Sequence, residues 1–208
     1  IVPRGYLVGI MISPTLSCIE CPGTLGHLRI FEPTLAEVLA AAPALAAFYN
    51  EEYNSAMLSN TCELTVDDVV ETFQSLRSAG GLPFLLELDG VLIGDADFRR
   101  VEGPEAEFAI LIGRRTQQSR GLGTRCAAMM HVAAWRAFGF QRLYAAVVPA
   151  NVASRRMLEK LGYQVDHTPG AARFTEAADD IVMSIDSTRF ARSHADLMAQ
   201  TIITSRSA

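Results

Sequence analysis

Gln118-Ser119-Arg120-Gly121-Leu122-Gly123-Thr124 lies inside a window, from Glu107 to Glu159, that has no carboxylate between its ends. Arg114, Arg115, Arg120, Arg125, Arg136, Arg142, Arg155 and Arg156 all fall within it. A glycine turn entering a helix in acid-free, cationic surroundings suits a phosphate-bearing ligand. Backbone N–H groups and the positive helix end attract the anion, and nearby carboxylates would repel it. A dinucleotide-binding fold also opens on Gly-x-Gly. It would need a third glycine where Cys126 stands and an acid about twenty residues beyond Gly121 for the ribose hydroxyls. Neither is present.

Working outward, the 208 residues are half apolar, enough for one sizeable core and one domain. The formal charge of −5, with all 23 acids outside the window, argues against a nucleic-acid binder and favours a cationic partner such as an amine. Four cysteines are too few for a disulfide framework. Cys18-Ile-Glu-Cys21 has C-x-x-C spacing but no second ligand pair, so it carries no metal expectation. The apolar run Tyr6–Ile12 is signal-like in outline and too short to span a bilayer. Ile1-Val-Pro-Arg-Gly5 reads as an expression or cleavage remnant. The expected setting is soluble and cytoplasmic, with no membrane partner.

The pattern then gives a strand at His27–Glu32 and a helix capped by Thr34 and Glu37 that runs to about Tyr49. A second helix starts at Thr65 and ends at Gly80-Gly81. A hairpin, Leu82–Leu88 with Val91–Phe98, turns at Asp89-Gly90, and Ala106–Ile112 is a further strand. Beyond the glycine turn come a long helix from Leu122 to Phe138, a strand at Arg142–Val148, a short helix over Asn151–Leu161 and two closing strands. This is an α+β (mixed α/β) single domain. Residues 1–26 are expected to be a loosely ordered N-terminal segment, 27–186 the domain, and 187–208 a tail with a short helix.

Three stretches in this order, Ala106–Gly113, Gln118–Thr124 and Asn151-Val-Ala-Ser-Arg-Arg-Met-Leu-Glu-Lys-Leu-Gly-Tyr163, resemble the GCN5-related N-acetyltransferase (GNAT) superfamily. The closer likeness is to the branch of ribosomal-protein N-terminal and spermidine acetyltransferases. It implies a twisted, mostly antiparallel sheet of about six to seven strands, splayed at the cofactor site and flanked by about four helices. It also implies acetyl-CoA as co-substrate, an amine acceptor and compatibility with a homodimer.

Carried onto this chain, the resemblance has backbone amides of Gln118, Ser119, Arg120, Gly121, Leu122, Gly123 and Thr124 holding the pyrophosphate, with Arg115 or Arg120 adding charge. The backbone of Ile110, Leu111 and Ile112 would pair with the pantetheine arm. Asn151 would approach that arm or cap the following helix. Glu107 is the candidate base for the incoming ammonium, Ser154 a candidate proton donor to the leaving thiolate, and Tyr163 mainly a core residue with a route to the same sulfur. Many members carry a Tyr acid where Leu158 stands, so that device is missing. This keeps a non-catalytic acyl-CoA-binding module open as the alternative. Asp95 and Asp97 share a strand face and would orient a cationic acceptor, with Glu51, Glu52, Glu63, Asp67 and Asp68 walling its pocket.

Overall fold

The computed structural model describes residues 16–207 apart from 24, 59–61 and 176. The apolar run at 6–12 therefore lies outside the described residues. A nine-stranded sheet forms the centre, in the order β7-β8-β6-β5-β4-β3-β2-β1-β9. Its strands are β1 Leu16–Cys21, β2 Leu28–Phe31, β3 Leu82–Leu88, β4 Val91–Glu102, β5 Glu105–Ile112, β6 Arg142–Val147, β7 Gln164–Val165, β8 Ile181–Asp186 and β9 Ile202–Arg206. Neighbours run antiparallel except β5 and β6, which the crossover helix α4 forces to run parallel.

The helices are α1 Leu35–Asn50, α2 Glu52–Met57, α3 Val66–Ser78, α4 Leu122–Arg136, α5 Val152–Leu161, α6 Pro169–Ala172 and α7 Ser187–Gln200. α1 and α3 each open on a capping box, Thr34 with Glu37 and Thr65 with Asp68, which satisfies two otherwise orphaned N–H groups at each start. The β3–β4 hairpin turns on Asp89 (φ 51°) and Gly90 (φ 77°), the paired left-handed residues of a type I′ turn.

Strand alternation sends Ala96, Phe98 and Phe108 into the core with Cys126, Met129, Met130 and Val132 of α4. The opposite face of the sheet packs Cys18, Phe31 and Leu85 under Val38, Leu45, Val69 and Phe73 of α1 and α3.

The α+β class is as expected, but the sheet has nine strands rather than six to seven, and there are seven helices among the described residues rather than four. The added strands lie outside residues 27–186, whereas the added helices α2 and α6 lie within it and α7 beyond it. β1 occupies part of the segment expected to be loose, and β9 follows α7 in the tail; the two pair with each other from Leu16↔Arg206 to Glu20↔Ile202. The register explains why β1 is ordered. Burying Ile19 and Cys21 on one face and Cys18 on the other makes a short apolar strand a core element. The same alternation puts Cys18 and Cys21 on opposite faces of the sheet, so they cannot share a metal.

Candidate active site

β5 and β6 pair only at Glu105↔Arg142, Ala106↔Leu143 and Glu107↔Tyr144. Beyond Glu107 the two strands part, and a cleft with a cavity of about 140 Å³ opens between them. Glu107, Phe108, Ala109 and Ile110 line one side, Ala145 to Val148 the other, and Asn151, Ser154, Met157 and Leu158 of α5 the end. Met57 and Leu58, Arg99 and Asp180 complete the walls. A larger depression of about 580 Å³ beside Trp135 and α7 is open to solvent and contains none of the sequence-predicted site residues.

The glycine turn sits at the start of α4. Gly121 is its N-cap with φ 83°, and Ser119 is also left-handed at φ 59°. Residues of alternating hand turn successive N–H groups toward one concavity. The cap is supplied by no side chain, and the first turn contains no acid, so its N–H groups and positive end are left for an anion.

The side chains of this loop turn elsewhere. Gln118 donates through Nε2 to the carbonyl of Ile112 (2.7 Å) and to Asn54 Oδ1 (2.8 Å). Ile112 therefore has its carbonyl engaged within the protein, and Gln118 offers the turn its backbone only. Arg115 donates to Gln118 Oε1 (2.5 Å) and stacks 3.8 Å over the Tyr53 ring, while Arg120 donates to Gln117. Arg142 and Arg136 lie away from the turn, the first paired with Asp166 and the second bonded to the Met198 carbonyl. Composition could not separate these arginines from those beside the loop.

Glu107 is where the sequence pattern put it, on the splayed strand, lining the cleft and only 4 % exposed. Arg99 lies directly opposite in the β4–β5 register. Arg100 takes the left-handed conformation (φ 48°) where that register shifts, and its Nε comes within 3.4 Å of Glu107 Oε2. In a regular strand neighbouring side chains point to opposite faces. The irregularity at Arg100 lets both arginines attend the same carboxylate, which offsets its burial.

Behind this pair, Arg99 holds Asp97 through two bonds, Nε to Oδ1 (2.7 Å) and Nη2 to Oδ2 (2.6 Å). Asp95 accepts from the Tyr49 hydroxyl at 2.5 Å. Burial, reinforced by the neighbouring Asp97 charge, pushes the Asp95 carboxyl up to about 7 despite that bond. Asp95 and Asp97 thus share a face, as expected, but do not line the cleft. Nor do Glu51, Glu52, Glu63, Asp67 or Asp68. Asp68 closes the cap of α3, and Glu51 caps α2. These acids sit near helix starts, where carboxylates complement exposed N–H groups.

Tyr163 is placed in the core rather than in the cleft. His131, wholly buried and with its pKa pushed down to about 4 by burial, is neutral. Its Nδ1 lies 2.6 Å from the Ala127 carbonyl, which can only accept, so Nδ1 carries the proton. Nε2 therefore accepts from the Tyr163 hydroxyl at 2.7 Å. The one phenolic proton is committed there, and burial holds the phenol well above its ordinary pKa. Ser154 lines the cleft, Leu158 beside it is 2 % exposed, and Asn151 caps α5 by accepting from Ser154 N (3.0 Å). The other end of the Asn151 amide donates to the Met57 carbonyl (3.2 Å). Asp180, Arg99 and Met57 were missed as cleft residues. They arrive from a loop, from β4 and from a six-residue helix, and no local pattern marks them.

A sequence model of the acetyltransferase (GNAT) domain matches residues 28–164. The chain belongs to the GNAT family. Solved structures share the GNAT fold at low identity. Mycobacterium smegmatis RimJ in complex with CoA-disulfide is 18 % identical with a TM-score of 0.68, over 90 % of this chain and 95 % of that one. Aminoglycoside acetyltransferase AAC(6')-Ib in complex with coenzyme A and kanamycin is 17 % identical with a TM-score of 0.66, over 80 % and 99 %. An uncharacterized protein from Bacillus halodurans reaches a TM-score of 0.71 at 13 % identity, over 88 % and 96 %. A comparison with curated proteins by sequence finds no match. Among the described residues no cluster of His, Cys, Asp or Glu could hold a metal, and no helix is long and apolar enough to cross a membrane.

Proposed function

We propose that this GNAT protein is an N-acetyltransferase that takes its acetyl group from acetyl-CoA and passes it directly to a primary amine. The observation that carries the reading is the parting of β5 from β6 immediately after Glu107, which leaves a buried carboxylate beside an open strand edge. The donor fits what the chain offers. A diphosphate would meet the uncapped N–H groups at Gly121–Thr124, and an amide-bearing arm would run along the backbone of Ile110 and Leu111. The family membership and the CoA-bound relatives support the same choice.

Acetyl-CoA supplies an activated thioester. The chain does the rest. Glu107 accepts a proton from the acceptor ammonium, directly or through water, and frees the nitrogen lone pair for attack. A β5 N–H beside Ile110 donates to the carbonyl oxygen as it gains charge. Ser154, on the α5 wall, gives a proton to the departing sulfur and recovers one from the nitrogen of the tetrahedral intermediate, directly or through water. Tyr163 takes no part, because its proton is held by His131. The acceptor is a cationic amine, drawn to the Glu107 and Asp180 carboxylates in the cleft. A protein N-terminus, a polyamine, an aminoglycoside and an amino-acid-like amine are the classes to compare.

The test is a CoA-release screen of the intact protein against N-terminal peptides, polyamines and aminoglycosides, repeated with Glu107→Gln. Release with at least one class, lost in the variant, is the expected result. Calorimetric binding of acetyl-CoA without release from any class would replace this reading with a non-catalytic acyl-CoA-binding module, to which Leu158 in place of a tyrosine also points.

A further inference from the structure

Asn54 is 2 % exposed, and both ends of its side-chain amide are hydrogen-bonded within the protein. Its Nδ2 donates to the Phe48 carbonyl (2.8 Å), at the end of α1, and to the Gly113 carbonyl (2.9 Å), where the phosphate-facing loop begins. Its Oδ1 accepts from Gln118 Nε2. Two carbonyls can only accept, so the amide orientation is forced and all of its capacity toward the loop is used. The Phe48 side chain also presses on the Gly113 backbone, since a Cβ on Gly113 would fall 2.1 Å from its Cγ.

Arg115 adds a second tie from the loop to α2, over the Tyr53 ring and 4.0 Å from Glu51. The far end of α2 carries Met57 and Leu58, which wall the cleft, and the Met57 carbonyl accepts from Asn151. α2 is thus bonded at one end to the donor loop and at the other to the acceptor wall. Only six residues long, it draws its order from these contacts rather than from helix propensity.

We propose that Asn54 is a positioning residue that carries occupancy of the donor loop to the acceptor wall through Gln118 and α2, so that the amine pocket is completed only once the donor is bound. This rests on the assignment of the turn at Gln118–Thr124 to CoA. An anion that fixes the loop backbone fixes Gln118, and Gln118 in turn fixes Asn54 and the helix it belongs to.

Hydrogen exchange of the full chain, read over Glu52–Met57 with and without saturating CoA, tests it. Calorimetry sets the saturating concentration for each protein. In the wild type CoA slows exchange in α2 by about tenfold. In Gln118→Ala, a half-exposed position whose loss leaves the fold intact, that slowing disappears although CoA is bound; Asn54→Ala behaves likewise where it folds. Undiminished slowing in Gln118→Ala would mean that CoA reaches α2 by direct contact and would overturn the proposal, as would α2 exchange in the wild type that ignores bound CoA. No heat of CoA binding to the wild type would instead bring down the donor assignment, and this inference with it.

Discussion

β4 and β5 show two opposite characters on their two faces. Toward α4 they present Ala96, Phe98 and Phe108, an apolar surface beside which His131 is neutral and satisfied. Toward α1 the same strands present Asp95, Asp97, Arg99 and Glu107, four ionisable side chains in a row. Burying charge is costly unless it is paired. The arrangement persists because Tyr49, Arg99 and Arg100 answer the carboxylates one by one. One face stores stability, and the other spends some of it to keep carboxylates and their counter-charges inside the protein.

The charged face is where a single substitution is expected to have the largest effect. Glu107→Gln should lower kcat/KM by about 10²–10⁴, read as CoA release with the best amine, with little change in unfolding free energy. A rate near wild type would show that this face too is structural. On the apolar face, Phe98→Ala should cost about 3–5 kcal/mol in urea denaturation and leave turnover per folded molecule alone.

Asp95→Asn tests the cost of the charge itself. The folded carboxyl keeps its proton up to about pH 7, whereas an unperturbed one releases it near 3.8. Between those values the folded state binds more protons than the unfolded state, so stability from this group falls as pH rises. The asparagine variant should gain on the wild type progressively from about pH 4 to 7, by at most about 4 kcal/mol in denaturation curves. A difference that stays flat with pH would show that Asp95 is ionised throughout. Smallest is Tyr163→Phe, which leaves His131 Nε2 without its donor. It should cost about 1–3 kcal/mol in thermal or chemical unfolding without altering the turnover of folded protein. A selective fall in turnover would return Tyr163 to the reaction.

What was legible in the chain follows from local rules. The capping box at Thr34, the helix start at Thr65, the Asp89-Gly90 turn and the glycine turn into α4 are contacts within a few residues, and each stands where the pattern put it. The placement of Glu107 on the cleft strand was equally readable once β5 was recognised. α2 was invisible because six residues, Glu52–Met57, carry too little periodicity to register. β1 and β9 were missed because a short strand is defined by its neighbours, and these two stabilise each other from positions nearly the whole chain apart.

The family, the glycine turn into α4 and the candidate base could be read from the chain alone. Each rests on residues adjacent along the chain and on backbone chemistry that travels with them. Which arginines face the cleft, that Tyr163 is held by His131, and that Asn54 bonds Gln118 and the Gly113 carbonyl came only from the three-dimensional fold. Those are contacts between elements distant in sequence, set by strand register and by the demand that every buried polar group find a partner.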